Sequence, residues 1–169
     1  MLKENINVSI IMNCFNGEEF LVEAIDSVFN QTYTDWEIIF FDNGSTDGSS
    51  KILKEFEGIE LITHEENLGK GAAVQSAIPY IKGDFVVLQD GDLEYSPKDY
   101  GKIFRILNEF KADIVIGSRF LSPEYTRVHY FFHKLGNRTI TILFNLLYNT
   151  TFTDIYSCYL CFKRELIDP

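Results

Sequence analysis

Short apolar runs alternate along this chain with stretches whose apolar residues recur at helical spacing. "NVSIIMNCF" (7–15) is a continuous run with β-branched residues, the pattern of a buried strand. "GEEFLVEAIDSVFNQ" (17–31) sets Leu21, Ile25 and Val28 on one helical face. "WEIIFFDNGSTDGSS" (36–50) reads as a second strand entering a polar loop, where Asp47 or Ser45 can cap the next helix. A third strand, "IELITHE" (59–65), leads through "NLGKG" to a helix on "AAVQSAIPYI" (72–81). "DFVVLQD" (84–90) is strand four. "SPKDYGKIFRILNEF" (96–110) is a helix with Pro97 in its first turn and Tyr100, Ile103, Phe104 and Leu107 at helical spacing. "ADIVIGSRF" (112–120) is strand five, and a loop, a long helix and a short β-like stretch, "YSCYLCFK", complete the pattern.

Strands alternating with helices of this length predict an α/β fold, Rossmann-like, with a mainly parallel central sheet flanked by helices. In such sheets ligands bind beyond the carboxyl ends of the strands. Asn13 to Asn16, Asp42 to Thr46, Asp90 to Glu94, and Ser118 with Arg119 all fall at those ends and should face one crevice.

The totals narrow the partners. A chain of 169 residues, 46% hydrophobic and 24% charged, suits one soluble domain with a sizeable core. A net charge of −10 argues against nucleic acid, which needs a basic face. Within that acidic whole, Arg119, Arg127, Lys134 and Arg138 form a basic island opposed by Glu124, which suggests a local anionic ligand. Cys14, Cys158 and Cys161 are too few for a disulfide framework, and the lone CxxC reads as structural rather than metal-binding or redox-active. The opening "MLKENINVSIIMNC" meets polar residues before any long apolar run, so no signal peptide is expected there. Asn-x-Ser/Thr sequons at Asn7, Asn30, Asn43, Asn137 and Asn149 fall partly in segments where glycans would do harm, which favours a cytosolic location. "YFFHKLGNRTITILFNLLY" (130–148) comes nearest to a membrane span, but His133, Lys134, Asn137 and Arg138 interrupt it. It is expected to be a helix that is buried or lies at a surface.

Two nucleotide signatures are absent: "GKGAAV" lacks the third glycine and does not follow the first strand, and no GxxxxGK[ST] occurs. What remains is "DGD" at the exit of strand four. Two carboxylates one residue apart can both reach a hard divalent cation, which in turn grips phosphate oxygens. Alone, the tripeptide is an ordinary acidic turn.

Its company gives it meaning. "VSIIMNCFNGEEFL", "FFDNGSTDGS", "NLGKGAA", "QDGDLEYSP", "ADIVIGSRF", "RVHYFFHKLGN" and "TDIYSCYLCFKREL" follow one another in order. Together they resemble the family 2 glycosyltransferases of GT-A fold, and most closely the polyprenyl-phosphate, dolichol-phosphate mannose synthase-like branch. The resemblance covers essentially the whole chain. It implies one catalytic domain over residues 1–169, stopping short of core elements with which such domains usually continue. Asn13 and Cys14 stand where the family often has proline and threonine, and Asn43 where it has a second aspartate.

By that resemblance, the donor, a UDP or GDP sugar, would be met by Asn13, Phe15, Glu18, Asp42, Asn43, Lys70, Asp90 and Gly91. Phe15 stacks on the base or packs in the core. Lys70 neighbours the nucleotide or is a solvated loop charge. Asp90 and Asp92 would hold Mg²⁺ or Mn²⁺, with Glu94 as a third ligand. Arg119 and Arg127 suit an acceptor phosphate, because guanidinium forks hold such groups at two points. Asp154 would be a base or the orienter of an arginine. Asp92, Arg119, Arg127 and Asp154 are thus the expected catalytic set. The expected reaction is an inverting sugar transfer to polyprenyl phosphate at the cytoplasmic membrane face, with peripheral membrane association. Transfer to a sugar hydroxyl of a growing polysaccharide, or nucleotide-sugar binding without turnover, are the alternatives.

Overall fold

A computed structural model describes residues 8–91, 97–109, 111–118 and 131–167. Six strands form one sheet in the order β3-β2-β1-β4-β6-β5. Four of them, β1 (Val8–Cys14), β2 (Trp36–Asp42), β3 (Ile59–Thr63) and β4 (Phe85–Asp90), pair in parallel. Their crossovers carry α1 (Leu21–Phe29), α2 (Ser49–Glu55) and α3 (Lys70–Ala77). The predicted α/β fold, a mainly parallel sheet flanked by helices, is the one observed.

The core follows from the apolar runs. Val8, Ile10, Ile11 and Met12 of β1 are buried together with Ile38 to Phe41 of β2 and Val86 to Leu88 of β4. Strands this apolar on both faces need cover on both. The predicted face of α1 supplies part of it, with Leu21, Ile25 and Val28 wholly buried. On α3 the buried residues are Ala73 and Ala77, small enough for close helix packing. A short 3-10 turn, Pro97–Asp99, leads into α4 (Tyr100–Glu109), which buries Tyr100, Ile103 and Leu107.

The late part of the chain departs from the predicted pattern. Strand five was expected over 112–120, but β5 is only Ile114–Ile116 and lies at the sheet edge, half exposed. Between it and β4 stands β6 (Leu160–Lys163). Cys161 and Phe162 are buried there, whereas Ile114 is exposed at the edge.

The chain divides into two compact units, Met1–Val115 with Cys161–Pro169, and Ile116–Leu160. The second contains α5 (Phe131–Tyr148), which exposes Phe131, Phe132, Leu146 and Leu147. Among the described residues, no helix is long and apolar enough to cross a membrane.

Candidate active site

The strand order reverses direction at β1, whose neighbours are β2 on one side and β4 on the other. Such a switch point opens a crevice at the carboxyl ends, because the flanking crossovers diverge there. Register places Asn13 beside Asp90 and Cys14 beside Asp42, so the ends of three strands form one polar row. Adjacent strands lie ~4.8 Å apart, which sets the two acids about two strand spacings from each other.

Asp42 is fully buried. One carboxylate oxygen accepts the Ser45 amide at 2.9 Å, and the other accepts the Ser50 hydroxyl. Its side chain therefore braces the turn into α2. Asn43 is 3% exposed and equally engaged. Its Oδ1 accepts the Leu68 amide at 3.2 Å, which fixes the orientation of the amide group, and its Nδ2 donates to Asn67 Oδ1 at 2.7 Å. Because Oδ1 can only accept, His64 Nδ1, 3.0 Å away, must carry a proton. The other ring nitrogen lies 3.2 Å from Ser76 Oγ on α3. Asn67 Oδ1 also accepts the Gly69 amide at 2.9 Å. One buried amide thus ties the ends of β2 and β3 to the loop that starts α3.

A second set of bonds zips 16–18 to 45–49. Asn16, at φ +54°, donates its amide to Ser45 Oγ and accepts the Thr46 amide at 2.8 Å. The Gly17 amide donates to Ser49 Oγ at 3.0 Å, and Glu18 accepts the Gly48 amide at 2.9 Å. Asp47 accepts the amides of Glu18 and Ser49, the latter at 2.9 Å, although the N-cap of α2 is Gly48, with no side-chain cap from either Asp47 or Ser45. The Ser49 hydroxyl, more than its amide, holds the Asp47 carboxyl below the ordinary range. Below this zip lies Cys14, whose thiol burial pushes up to about 11, against the lowering effect of its Ser45 contact. It is a neutral floor. Phe15, by contrast, is 47% exposed and outside the core.

On the other side of β1, Asp90 ends β4 with its carboxylate 15% exposed. Among the described residues, its partner is the Lys70 ammonium, from the first residue of α3. Gly69 (φ +82°) and Gly71 flank that lysine, and a Cβ on either would meet nothing within 4 Å. A Cβ on Gly91 would come 3.4 Å from the Asn13 carbonyl, so the exit of β4 runs close to β1. Asp92, Glu94, Arg119 and Arg127 lie outside the described residues. No three metal-ligating side chains cluster among the described residues. Asp90 still fits a divalent cation: it is a hard oxygen donor held by a side chain rather than by backbone amides.

Asp154 belongs to the second unit and is fully buried. It accepts Asn137 Nδ2 of α5 at 2.9 Å, and Thr141 Oγ1 donates to Asn137 Oδ1 at 3.0 Å. The described site residues thus gather at the ends of β1, β2 and β4, with Asp154 assigned to a separate unit. His64, Asn67 and Ser76 belong to this network but were absent from the predicted set, and Asn16, expected only to face the crevice, joins it as a hydrogen-bonding partner of Ser45 and Thr46. A polar residue just beyond a strand's carboxyl end was the available signal for His64. A partly open cavity of about 300 Å³, lined by Val8, Tyr33, Trp36, Tyr100 and Phe104, lies at the opposite, amino ends of the strands. It is far from the acids.

This arrangement, a switch-point crevice with acids at the strand exits, is that of the GT-A fold. The solved mannosyltransferase from Pyrobaculum calidifontis in complex with GDP-Man and Mn²⁺ superposes with a TM-score of 0.70 at 19% identity, covering 98% of this chain and 46% of that one. The family model described as glycosyl transferase family 2 matches residues 9–168, and the chain belongs to that family. Glycosyltransferase GlyA of Streptococcus pneumoniae is 32% identical over 134 residues, 77% of this chain and 19% of the relative. Dolichyl-phosphate beta-glucosyltransferase ALG5D of Trichomonas vaginalis is 30% identical over 143 residues, 75% of this chain and 44% of the relative. The chain spans less than half the length of either relative.

Proposed function

We propose that this chain carries the catalytic domain of an inverting glycosyltransferase, which moves a sugar from a nucleoside diphosphate sugar to polyprenyl phosphate. The observation that carries the reading is Asp90 at the switch point, in a family 2 chain, beside a row of strand ends already braced by Asp42 and Asn43. Resemblance to a dolichyl-phosphate transferase supports the choice of acceptor.

Phe15 offers its exposed ring to the base, and Lys70 its ammonium to the diphosphate. Asp42, Asn43 and Glu18 hold the loops that shape this pocket and act on the donor through them. Asp90 and Asp92, with Glu94, would hold Mg²⁺ or Mn²⁺, which when bound neutralises the diphosphate as it leaves. Arg119 and Arg127 clamp the acceptor phosphate. An acceptor phosphate oxygen attacks the anomeric carbon, the bond from that carbon to the diphosphate breaks, and the nucleoside diphosphate departs with the electron pair. A phosphate oxygen needs little help from a general base, whereas a hydroxyl must lose a proton. Asp154 is the orienting acid of the acceptor side. Peripheral association at the cytoplasmic membrane face would bring a lipid acceptor within reach.

The test is a thermal-shift screen of UDP, GDP and dTDP sugars with and without Mn²⁺, followed by turnover with short-chain polyprenyl phosphate. Stabilisation by one nucleotide class, dependent on the metal and lost in Asp90→Asn, is expected. Turnover with a sugar hydroxyl but not with the lipid phosphate would move the acceptor to a polysaccharide. Nucleotide binding without turnover on any acceptor would leave a binding module.

A further inference from the structure

Gln89 places an amide in a strand that is otherwise apolar up to its exit. It is 3% exposed, follows the buried Val86, Val87 and Leu88, and stands immediately before Asp90. Burying an amide is costly unless its donor and acceptor are both met, whereas an apolar side chain would fill the same space without that demand. Both halves are met here. Nε2 donates to the main-chain carbonyl of Asp90 at 3.2 Å, and Oε1 accepts the hydroxyl of Tyr100 at 3.1 Å. A carbonyl can only accept, so the amino group must face Asp90, Oε1 must face Tyr100, and the phenol must donate. Burial, with a smaller push from Cys161, holds the Tyr100 phenol well above its ordinary range, so it keeps its proton.

These bonds run in one line from helix to strand exit. Tyr100 is the first residue of α4 and is buried. Its hydroxyl fixes the Gln89 amide, which in turn fixes the oxygen of the peptide joining Asp90 to Gly91. Gly91 itself runs close to β1, where a Cβ would come 3.4 Å from the Asn13 carbonyl. A peptide unit is planar, so holding its oxygen while its glycine abuts β1 sets the direction in which the chain leaves β4. Asp90 stands on one side of that plane, and Asp92 follows one residue after it.

We infer that Tyr100 and Gln89 are positioning residues for the acid at the exit of β4, a brace that holds the Asp90–Gly91 peptide in the orientation from which Asp90 serves its cation. This rests on the proposed metal site and adds to it two residues that act without touching the ion. Outer groups that orient a metal ligand govern its affinity and geometry. The brace works on the main chain of Asp90, whereas Lys70 pairs with the carboxylate, so the two supports are separate.

The test is Mn²⁺ affinity and spectral shape by electron paramagnetic resonance, in the full chain with and without UDP or GDP, beside metal-free nucleotide affinity by calorimetry. Tyr100→Phe should weaken Mn²⁺ binding roughly threefold to tenfold, the worth of one neutral hydrogen bond, and alter the spectrum. Gln89→Met, of similar shape, should weaken it at least as much. The double variant should lose no more than Gln89→Met alone, because Tyr100 acts through Gln89. Metal-free nucleotide affinity should stay at the wild-type value throughout. Ile103→Val trims a buried residue of the same helix, so it controls for general softening and should leave Mn²⁺ binding unchanged. Wild-type Mn²⁺ affinity and spectrum in Tyr100→Phe, with binding abolished in Asp90→Asn, overturn the brace and leave the metal site standing. Losses that add in the double variant, an equal loss in Ile103→Val, or an equal fall in metal-free nucleotide affinity overturn it as well. If Gln89→Met does not fold, Tyr100→Phe against Ile103→Val decides alone. Mn²⁺ binding that is absent, or indifferent to Asp90→Asn, removes the metal reading and the brace with it.

Discussion

Asn43→Asp is nearly isosteric, so it tests hydrogen bonding without opening a cavity. In the folded chain Asn43 Nδ2 donates to Asn67 Oδ1 at 2.7 Å, and that oxygen is held in place by the Gly69 amide at 2.9 Å. An aspartate would set a second acceptor against this oxygen, at a position 3% exposed. Leaving a buried polar group unsatisfied costs about 1–3 kcal/mol. Bonds from Leu68 and His64 to the other oxygen survive and would hold the new carboxylate in that unfavourable place. The variant should therefore lower the urea midpoint at unchanged slope, by an amount equivalent to about 1–3 kcal/mol. Through the displaced loop and Lys70 it should weaken nucleotide binding as well. Asn67→Ala removes the opposing oxygen, so in that background Asn43→Asp should cost less, with a coupling of about 0.5–3 kcal/mol. An Asn43→Asp protein as stable as wild type, or one equally destabilised in both backgrounds, would refute the clamp.

Three further outcomes follow from the same loops. At Gly44 (φ +76°) a Cβ would meet the Glu66 carbonyl carbon at 2.7 Å, whereas at Gly69 it would meet nothing within 4 Å. Gly44→Ala should thus cost about 2–4 kcal/mol from strain plus overpacking, and Gly69→Ala about 1 kcal/mol from strain alone, as read by chemical denaturation. Asp47, with its carboxyl lowered in the fold chiefly by Ser49, contributes stability above its unfolded value near ~3.9 and loses it as pH falls through the folded value. The stability gap between wild type and Asp47→Asn should be widest near neutrality and narrow in acid, which denaturation curves at several pH values will check. Burial keeps Cys14 protonated to about 11, and Cys161 is raised further by burial. Iodoacetamide at pH 8 should label Cys158 first in the native protein, and all three thiols in urea, as counted by mass spectrometry.

The parts of this fold legible in the sequence were those set by local pattern. Leu21, Ile25 and Val28 announced the buried face of α1, and "FVVLQD" announced a strand delivering an acid to the ligand side. Choice of partner was not legible. Glu18 meets Gly48 across 30 residues and Asn43 meets Asn67 across 24, and nothing local to either position marks the match. The insertion of β6 between β4 and β5 was hidden for the same reason. Four residues of "LCFK" look like any short apolar stretch until burial of Cys161 and Phe162 decides where it goes. Asn43 reads in the sequence as a missing acid. In the fold it is an amide that needs both its donor and its acceptor, and an acid would satisfy only half of that requirement.

Three of the four described acids of the predicted site, Asp42, Asp90 and Asp154, separate by what holds them; the fourth, Glu18, accepts the Gly48 amide. Asp42 is held by a backbone amide and a serine hydroxyl, and Asp154 accepts from the amide of Asn137 on a helix. Backbone and short side chains have little reach, and these two carboxylates are fully buried. Such acids shape a site by fixing its walls. Asp90 differs on each count: it retains some exposure, it stands at the switch point, and among the described residues it pairs with the ammonium of Lys70 rather than with backbone amides. Its charge is compensated in the free protein, yet the compensation is removable at the modest cost of a partly exposed ion pair. That combination is what a ligand-binding carboxylate needs, since it must be stable when empty and available when the ligand comes.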